Sequence, residues 1–586
     1  MRFPTSLTGI MTGIFFWGLA TAAPSGLQTL EPRAAGSCHS ATSRACWSSG
    51  YTVQTDYEQS TPPGGIKTFN WEITEHDNWQ GPDGRVKSKV MLVNNQYPGP
   101  TLTADWGDTI KVTIKNSLRI NGTSIHWHGF RQFGTNIQDG VNGITECPIP
   151  PGGSKTYTLK ATQYGTSWYH SHFSAQYGNG VVGSIVINGP ASSNYDIDLG
   201  AYPISDYYLR TADQIVGDTM VSPAPPASDN VLFNGKNINP VGSGGEYSKL
   251  TFTPGKRHRL RFINPSVEHN YQVSIVGHNM TVISTDFVPV NSFSTDNVFL
   301  GVGQRVDVTI DASRTIGNYW MNVTMYANNF CGSSVNTFPA AIVQYAGAPN
   351  TNPTDKGTLP ANTNCRDSLD YVPVVTRQAP LDTFTPNASD TLDITLETSA
   401  LVSWKVNNSS MVVQWDKPII QYVMDGNTSY PTSENVVVVS QPNQWTFWVV
   451  ENESPIPHPL HLHGHDFMVL GASAANAGAF TAADKTQLKA NNPVRRDVTM
   501  LPPSGWVILA FKADNPGNWL FHCHIAWHVA GGLSVDFLER VPEQKALIRQ
   551  ADSTAFNSNC AAWRKYYATS PEKQMDSGLK MREITI

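Results

Sequence analysis

The stretch NWLFHCHIAWHVAGGL, residues 518–533, places four metal-binding side chains within seven residues: His522, Cys523, His524 and His528. The aromatic and aliphatic residues around them predict a buried strand over residues 518–525, followed by a turn. Side chains alternate across a strand, so His522 and His524 share one face and Cys523 takes the other. One ligand cluster cannot use all three. The pattern reads as a junction between two metal sites joined by a short covalent path. A thiolate with two imidazoles and a weak axial neighbour suits copper, whereas zinc does no redox chemistry and needs no bridge.

Other segments supply further ligands. SIHWHGF carries His126 and His128, SWYHSHF carries His170 and His172, and HPLHLHGHDF carries His458, His461 and His463. With His522 and His524 these make four His-x-His pairs, eight imidazoles facing one way from four strands. Cys523, His458 and His528 form a separate set of three. Ten of the 16 histidines fall in these sets. The other six, His39, His76, His258, His269, His278 and His465, read as exposed or hydrogen-bonded structural residues, although His465 lies within the ligand loop.

In this order, HWHG, WYHSH, HPLHLHGH and HCHIAWH resemble the copper signatures of the multicopper oxidases, over nearly the whole mature chain. DGVNGITECPIPPG, the tail DSGL and a leucine ten residues after the cysteine resemble the ascomycete-type fungal laccases. The resemblance implies a type 1 copper held by His458, Cys523 and His528. It implies a type 2 copper on His126 and His461, and two type 3 coppers. One of these takes His128, His170 and His524, the other His172, His463 and His522. Four copper ions per chain would couple one-electron oxidation of phenolic and aromatic substrates to reduction of O₂ to water. That activity is a laccase, a benzenediol:oxygen oxidoreductase.

Length and composition agree. At 586 residues the chain exceeds one core and predicts several domains. Only 15% of residues are charged, while Gly, Pro, Asn, Thr and aromatics abound, which predicts an all-β chain of short strands and many turns. SIHWHGF then TSWYHSH in the first third is mirrored by PLHLHGHDF then GNWLFHCH in the last, whereas the middle third has no such pair. The expectation is three consecutive cupredoxin-like Greek-key β-sandwich domains over residues 34–190, 191–372 and 373–579, with the eight-imidazole cluster between the outer two. A net charge of −6 without a basic patch excludes nucleic acid and anionic membrane as expected partners, and a monomer is expected.

The N-terminal apolar run IMTGIFFWGLATAA reads as a secretory signal, residues 1–23, followed by a propeptide over residues 24–33. Eight N-x-S/T sites fit an extracellular glycoprotein. Seven cysteines leave one unpaired, and Cys523 is that one. Proximity favours Cys38–Cys46 and Cys331–Cys365, leaving Cys147–Cys560, and the family has the same pattern. In the resembling laccases the precursor is cut after the leucine of DSGL, which here removes residues 580–586.

The resemblance also assigns roles. Asp139 matches an acid that relatives place near the type 2 copper, so proton relay is its expected role. Relatives often carry a glutamate within HCHIxWH, where this chain has Ala526. Leu533 stands at the axial position and has no ligating atom, which favours reduced copper and a medium to high potential. Glu246 aligns with a carboxylate by the phenol pocket and is expected to accept the phenolic proton. A ferroxidase-type multicopper oxidase is the alternative within the fold. It would need carboxylates near the type 1 site and usually a membrane anchor. A simple electron carrier would need only Cys523, His458 and His528.

Overall fold

The computed structural model describes residues 38–326, 330–361, 364–387, 390–399, 401–571, 573–574 and 577. The expected signal peptide, the propeptide and the 580–586 extension lie outside the described residues, as does Leu579.

Six large sheets pair off along the chain into three β-sandwiches. The strand Thr109–Asn116 shows why. Ile110, Val112 and Ile114 are fully buried, while the alternate residues Lys111 and Lys115 face solvent, the two-residue period of a half-buried strand. The first sandwich has two four-stranded sheets built from strands between Ile66 and Asn188. The second has six- and five-stranded sheets between Ile197 and Tyr345, and the third repeats that plan between Thr391 and Glu539.

In the third sandwich, Gly517–Cys523 is buried at every position and lies between Ser534–Glu539 and His458–Leu462, antiparallel to both. The register sets His461 opposite His522, and Leu460 opposite Cys523. The first sandwich repeats the device, with His126 of strand His126–Trp127 opposite His170 of strand Gly165–His170. Two His-x-His pairs therefore meet across adjacent strands in each outer sandwich. The strand expected to run to residue 525 ends at Cys523. The chain then turns into a helix, Ala526–Ala530, because the Ile525 carbonyl accepts from the backbone N–H groups of His528 and Val529.

Disulfides join Cys38 to Cys46, Cys331 to Cys365 and Cys147 to Cys560, and Cys523 is free and buried. The Cys147–Cys560 bridge ties the first sandwich to the C-terminal helix Gln550–Tyr567, whose Phe556 and Trp563 pack with Phe173 and Trp415. No helix among the described residues is long and apolar enough to cross a membrane.

Candidate metal centres

On one face of the strand Gly517–Cys523, the Cys523 Sγ lies 3.6 Å from His458 Nδ1 and 3.5 Å from His528 Nδ1. The two imidazole nitrogens are 3.1 Å apart. The short helix Ala526–Ala530 brings His528 back over the strand end. Backbone bonds from Cys523 N to Leu533 O and from Leu533 N to His528 O clamp the loop. Leu533 is buried beside this centre and has no ligating atom. Burial pushes the Cys523 thiol far above its ordinary value and takes His528 down to about 3. The imidazoles are therefore neutral, and the thiol parts with its proton only to a strong cation.

On the other face, eight imidazoles converge from both outer sandwiches. His172, His463 and His522 form one metal-sized group, while His126 groups with His461 and His463, and also with His128 and His170. The rings of His128, His170 and His524 are mutual neighbours, with centroids 5.0–5.9 Å apart. Burial first, then the neighbouring rings, holds His128, His461, His463 and His524 well below the histidine range. All are neutral donors.

The surrounding hydrogen bonds fix which nitrogen each ring offers. His126 Nδ1 donates to Asp139 O at 2.9 Å, His461 Nδ1 to Asp497 O at 2.7 Å, and His170 Nδ1 to Ser171 O at 3.1 Å. Their Nε2 atoms are buried without a partner. His522 Nδ1 donates to Cys523 O at 2.8 Å, and His463 Nδ1 donates to the Asp139 carboxylate at 2.8 Å. That leaves two Nε2 lone pairs facing each other at 3.2 Å. Lone pairs buried in this way are costly unless a cation lies among them. The donor set fits copper.

Among the described residues the second sandwich adds no side chain to these groups, but it braces the cluster. Its Arg305 holds Asp497 of the third sandwich through two bonds, at 2.5 and 2.6 Å, and donates from Nε to Thr166 O of the first. Gly129, the glycine of HWHG, makes room for this pair. Its φ is +77°, and an added Cβ would come within 2.5 Å of both Arg305 Nη2 and Asp497 Oδ2. Gly464, the glycine of HLHGH, has φ +72°, and a Cβ there would overlap the Trp519 ring.

The remaining expectations divide. Asp139 is buried against His126 and His463, so the structure brings it to the cluster. Glu246 is not brought to the thiolate centre. It is largely exposed, paired with Lys236 at 2.5 Å, and absent from the narrow pocket at His528 formed by Val216, Met220, Trp404 and Trp527. Its exposure and its pairing with Lys236 count against the proton-accepting role that the resemblance implies for it. Glu268 stands beside Trp527 instead, its carboxyl pushed up to about 8 by burial and then by the Asp206 charge. Sequence reasoning missed it, along with Asp497 and Arg305. SVEHN offers only a lone carboxylate among mostly polar neighbours, with no spacing to mark it. His465 is held by Glu539 at 2.9 Å rather than by a metal group. His269 departs from the structural reading in one respect, since it is buried with neither ring nitrogen bonded.

Three sequence models of the multicopper oxidase family match the chain, over residues 73–192, 200–348 and 402–543. A laccase of Cryphonectria parasitica is 55% identical over 98% of this chain and 100% of its own length. Laccase-1 of Melanocarpus albomyces is 53% identical over 99% of this chain and 98% of its own. The crystal structure of the Botrytis aclada laccase superposes with a TM-score of 0.84 at 36% identity, covering 92% of this chain and 99% of that one. The iron-import multicopper oxidase Fet3p, at 23% identity and a TM-score of 0.75, shares the fold.

Gly129→Ala tests the brace. Strain at positive φ together with the lost room for Arg305 and Asp497 should cost about 2 kcal/mol or more. Metal counting should find copper depleted at the imidazole cluster and kept at Cys523. Unchanged unfolding and full copper content would mean that the Arg305–Asp497 pair does not hold the cluster.

Proposed function

Since the chain belongs to the multicopper oxidase family and is a laccase within it, we propose that His458, Cys523 and His528 hold one copper ion, type 1. Three more are held by the eight imidazoles: type 2 by His126 and His461, type 3 by His128, His170 and His524 and by His172, His463 and His522. Bound there, copper supplies one-electron redox chemistry at the Cys523 centre and four-electron reduction of O₂ to water at the imidazole cluster.

The observation that carries this reading is the shared strand. The Cys523 sulfur is joined through its own backbone to His522 and His524 on either side, so an electron leaving one centre has a covalent route to the other. His528 lines the surface pocket and His458 does not, so His528 is the edge a substrate meets. Trp404 packs against both rings, with centroids 4.4 Å from His528 and 4.7 Å from His458, and excludes water from the thiolate. Asp139 holds the His463 Nδ1 proton and keeps one carboxylate oxygen unbonded at the cluster, as a proton relay requires.

The substrate class is phenols and related aromatics, with O₂ as oxidant. Like Glu246, Glu268 is not among the residues lining the pocket, but it contacts the Trp527 wall, and we propose it as the group that takes up the phenolic proton as the electron leaves. Raised to about 8, it is mostly protonated at neutral pH and becomes a competent base as pH rises. Oxygen uptake with a phenol and with a non-protic donor tests both the reaction and this residue. The enzyme should consume one O₂ per four donors oxidised. Glu268→Gln should slow phenol oxidation by roughly 1–3 kcal/mol in barrier terms. The gap between the two proteins should widen with pH and be small for the non-protic donor. Equal loss with both donors would leave Glu268 a structural residue.

The chain is proposed to be secreted, with residues 1–33 removed, a reading supported by three disulfides. Cleavage after Leu579 is proposed as well. Ser577 supports it, bonded to Val529 O at 2.8 Å in a small cavity that His172 also lines. Intact mass decides the matter: the mature chain should end at Leu579, and a fully active chain retaining Ile586 would refute the cut.

A further inference from the structure

A cleft of about 190 Å³ lies between the first and third sandwiches, outside both metal centres. Most charges lining it are paired. Arg131 bonds Glu58 and Asp514, each at 2.8 Å, and Arg377 bonds Asp56 at 2.6 Å and also Glu58. One oxygen of Asp466 accepts from Tyr57 Oη at 2.8 Å and from Gln163 Nε2 at 3.1 Å. Arg495 is different. It is 4% exposed, and its Nη2 donates to Val375 O at 2.9 Å. Its Nε and Nη1 have no partner, and no carboxylate among the described residues pairs with it. Asp466 Oδ1 is likewise unbonded.

A buried guanidinium with unused donors is costly, and a small anion is the ligand that removes the cost. The lining says which kind. Trp445, Met468 and Phe511 give the cleft an apolar wall, which suits an organic group rather than a bare halide. Asp56, Glu58, Asp466 and Asp514 repel a second negative charge and disfavour phosphate or sulfate. Lys512, exposed at the edge, draws one negative charge inward. Burial, then the Arg377 charge, weakens the hold of Arg495 on its proton, against the opposing pull of Tyr57, Glu58 and Asp466.

We infer that this cleft is a binding site for a small aromatic monocarboxylate, anchored by Arg495, its ring against Trp445 and Phe511, and any ring hydroxyl donating to Asp466 Oδ1. Because the lining residues come from both outer sandwiches, occupancy should tie them together and stabilise the fold.

Benzoate, which carries no phenolic hydroxyl, is the probe. Calorimetry on the holoenzyme should find one benzoate bound, with a rise in thermal midpoint, and no binding of the neutral isostere benzamide. Arg495→Gln should weaken benzoate by about tenfold to a hundredfold, the loss expected of hydrogen bonds to a charged group, and abolish the midpoint shift. Should that variant fail to fold, Lys512→Glu at the exposed edge must also weaken benzoate. Benzoate held equally by both variants would place it at copper or in the His528 pocket and overturn the assignment. So would benzamide binding as tightly, chloride competing at equal affinity, or no benzoate binding at all.

Discussion

A β-strand offers its side chains to two faces and joins those faces only through its own backbone. Here that limit becomes the organising fact of the molecule. The strand Gly517–Cys523 sends Cys523 to one face and His522 to the other, with His524 just beyond its end. No single centre could take all three, so two centres share one covalent connection. Burial at every position of the strand keeps both centres dry, and dryness keeps their imidazoles neutral and their lone pairs available.

The two outer sandwiches must then be held in register across their interface, because the imidazole groups draw side chains from both. The chain does this with few interactions of high specificity. Arg305 reaches from the middle sandwich to Asp497, whose backbone carbonyl orients His461 and whose carboxylate lies 3.2 Å from His128. A buried ion pair adds little net stability, but its fixed geometry selects one arrangement of its neighbours. The middle sandwich thus earns its place although, among the described residues, it supplies none of the clustered imidazoles. The Cys147–Cys560 bridge and the packing of Trp563 on Phe173 act on the same interface from the far side.

The clustering of the imidazoles and the thiol was legible in the sequence because strand alternation turns spacing into direction. His-x-His must point one way, and a cysteine between two histidines must point the other. The three-sandwich plan was legible for a related reason, since the motif order of the first third recurs in the last. Loop carboxylates obey no such period. Glu246 and Glu268 both sit in connections, and only folding reveals that one faces solvent with Lys236 while the other meets Trp527. Arg305 and Asp497 were illegible because their partners lie on other sandwiches, and Arg495 because nothing in its sequence context marks its two unbonded donors. The short helix that carries His528 was read as a turn, since five residues hold too little periodicity to declare a helix.

The central claim is that HCH joins two centres that bind metal independently. Copper counting and absorption spectroscopy on Cys523→Ser test it most directly. The account predicts a colourless protein, without the blue absorption near about 600 nm expected of copper–thiolate bonding, that retains three copper ions in the imidazole cluster and oxidises no phenol. Loss of all four copper ions from a folded Cys523→Ser protein would contradict it, because the two faces of the strand would then form one cooperative site.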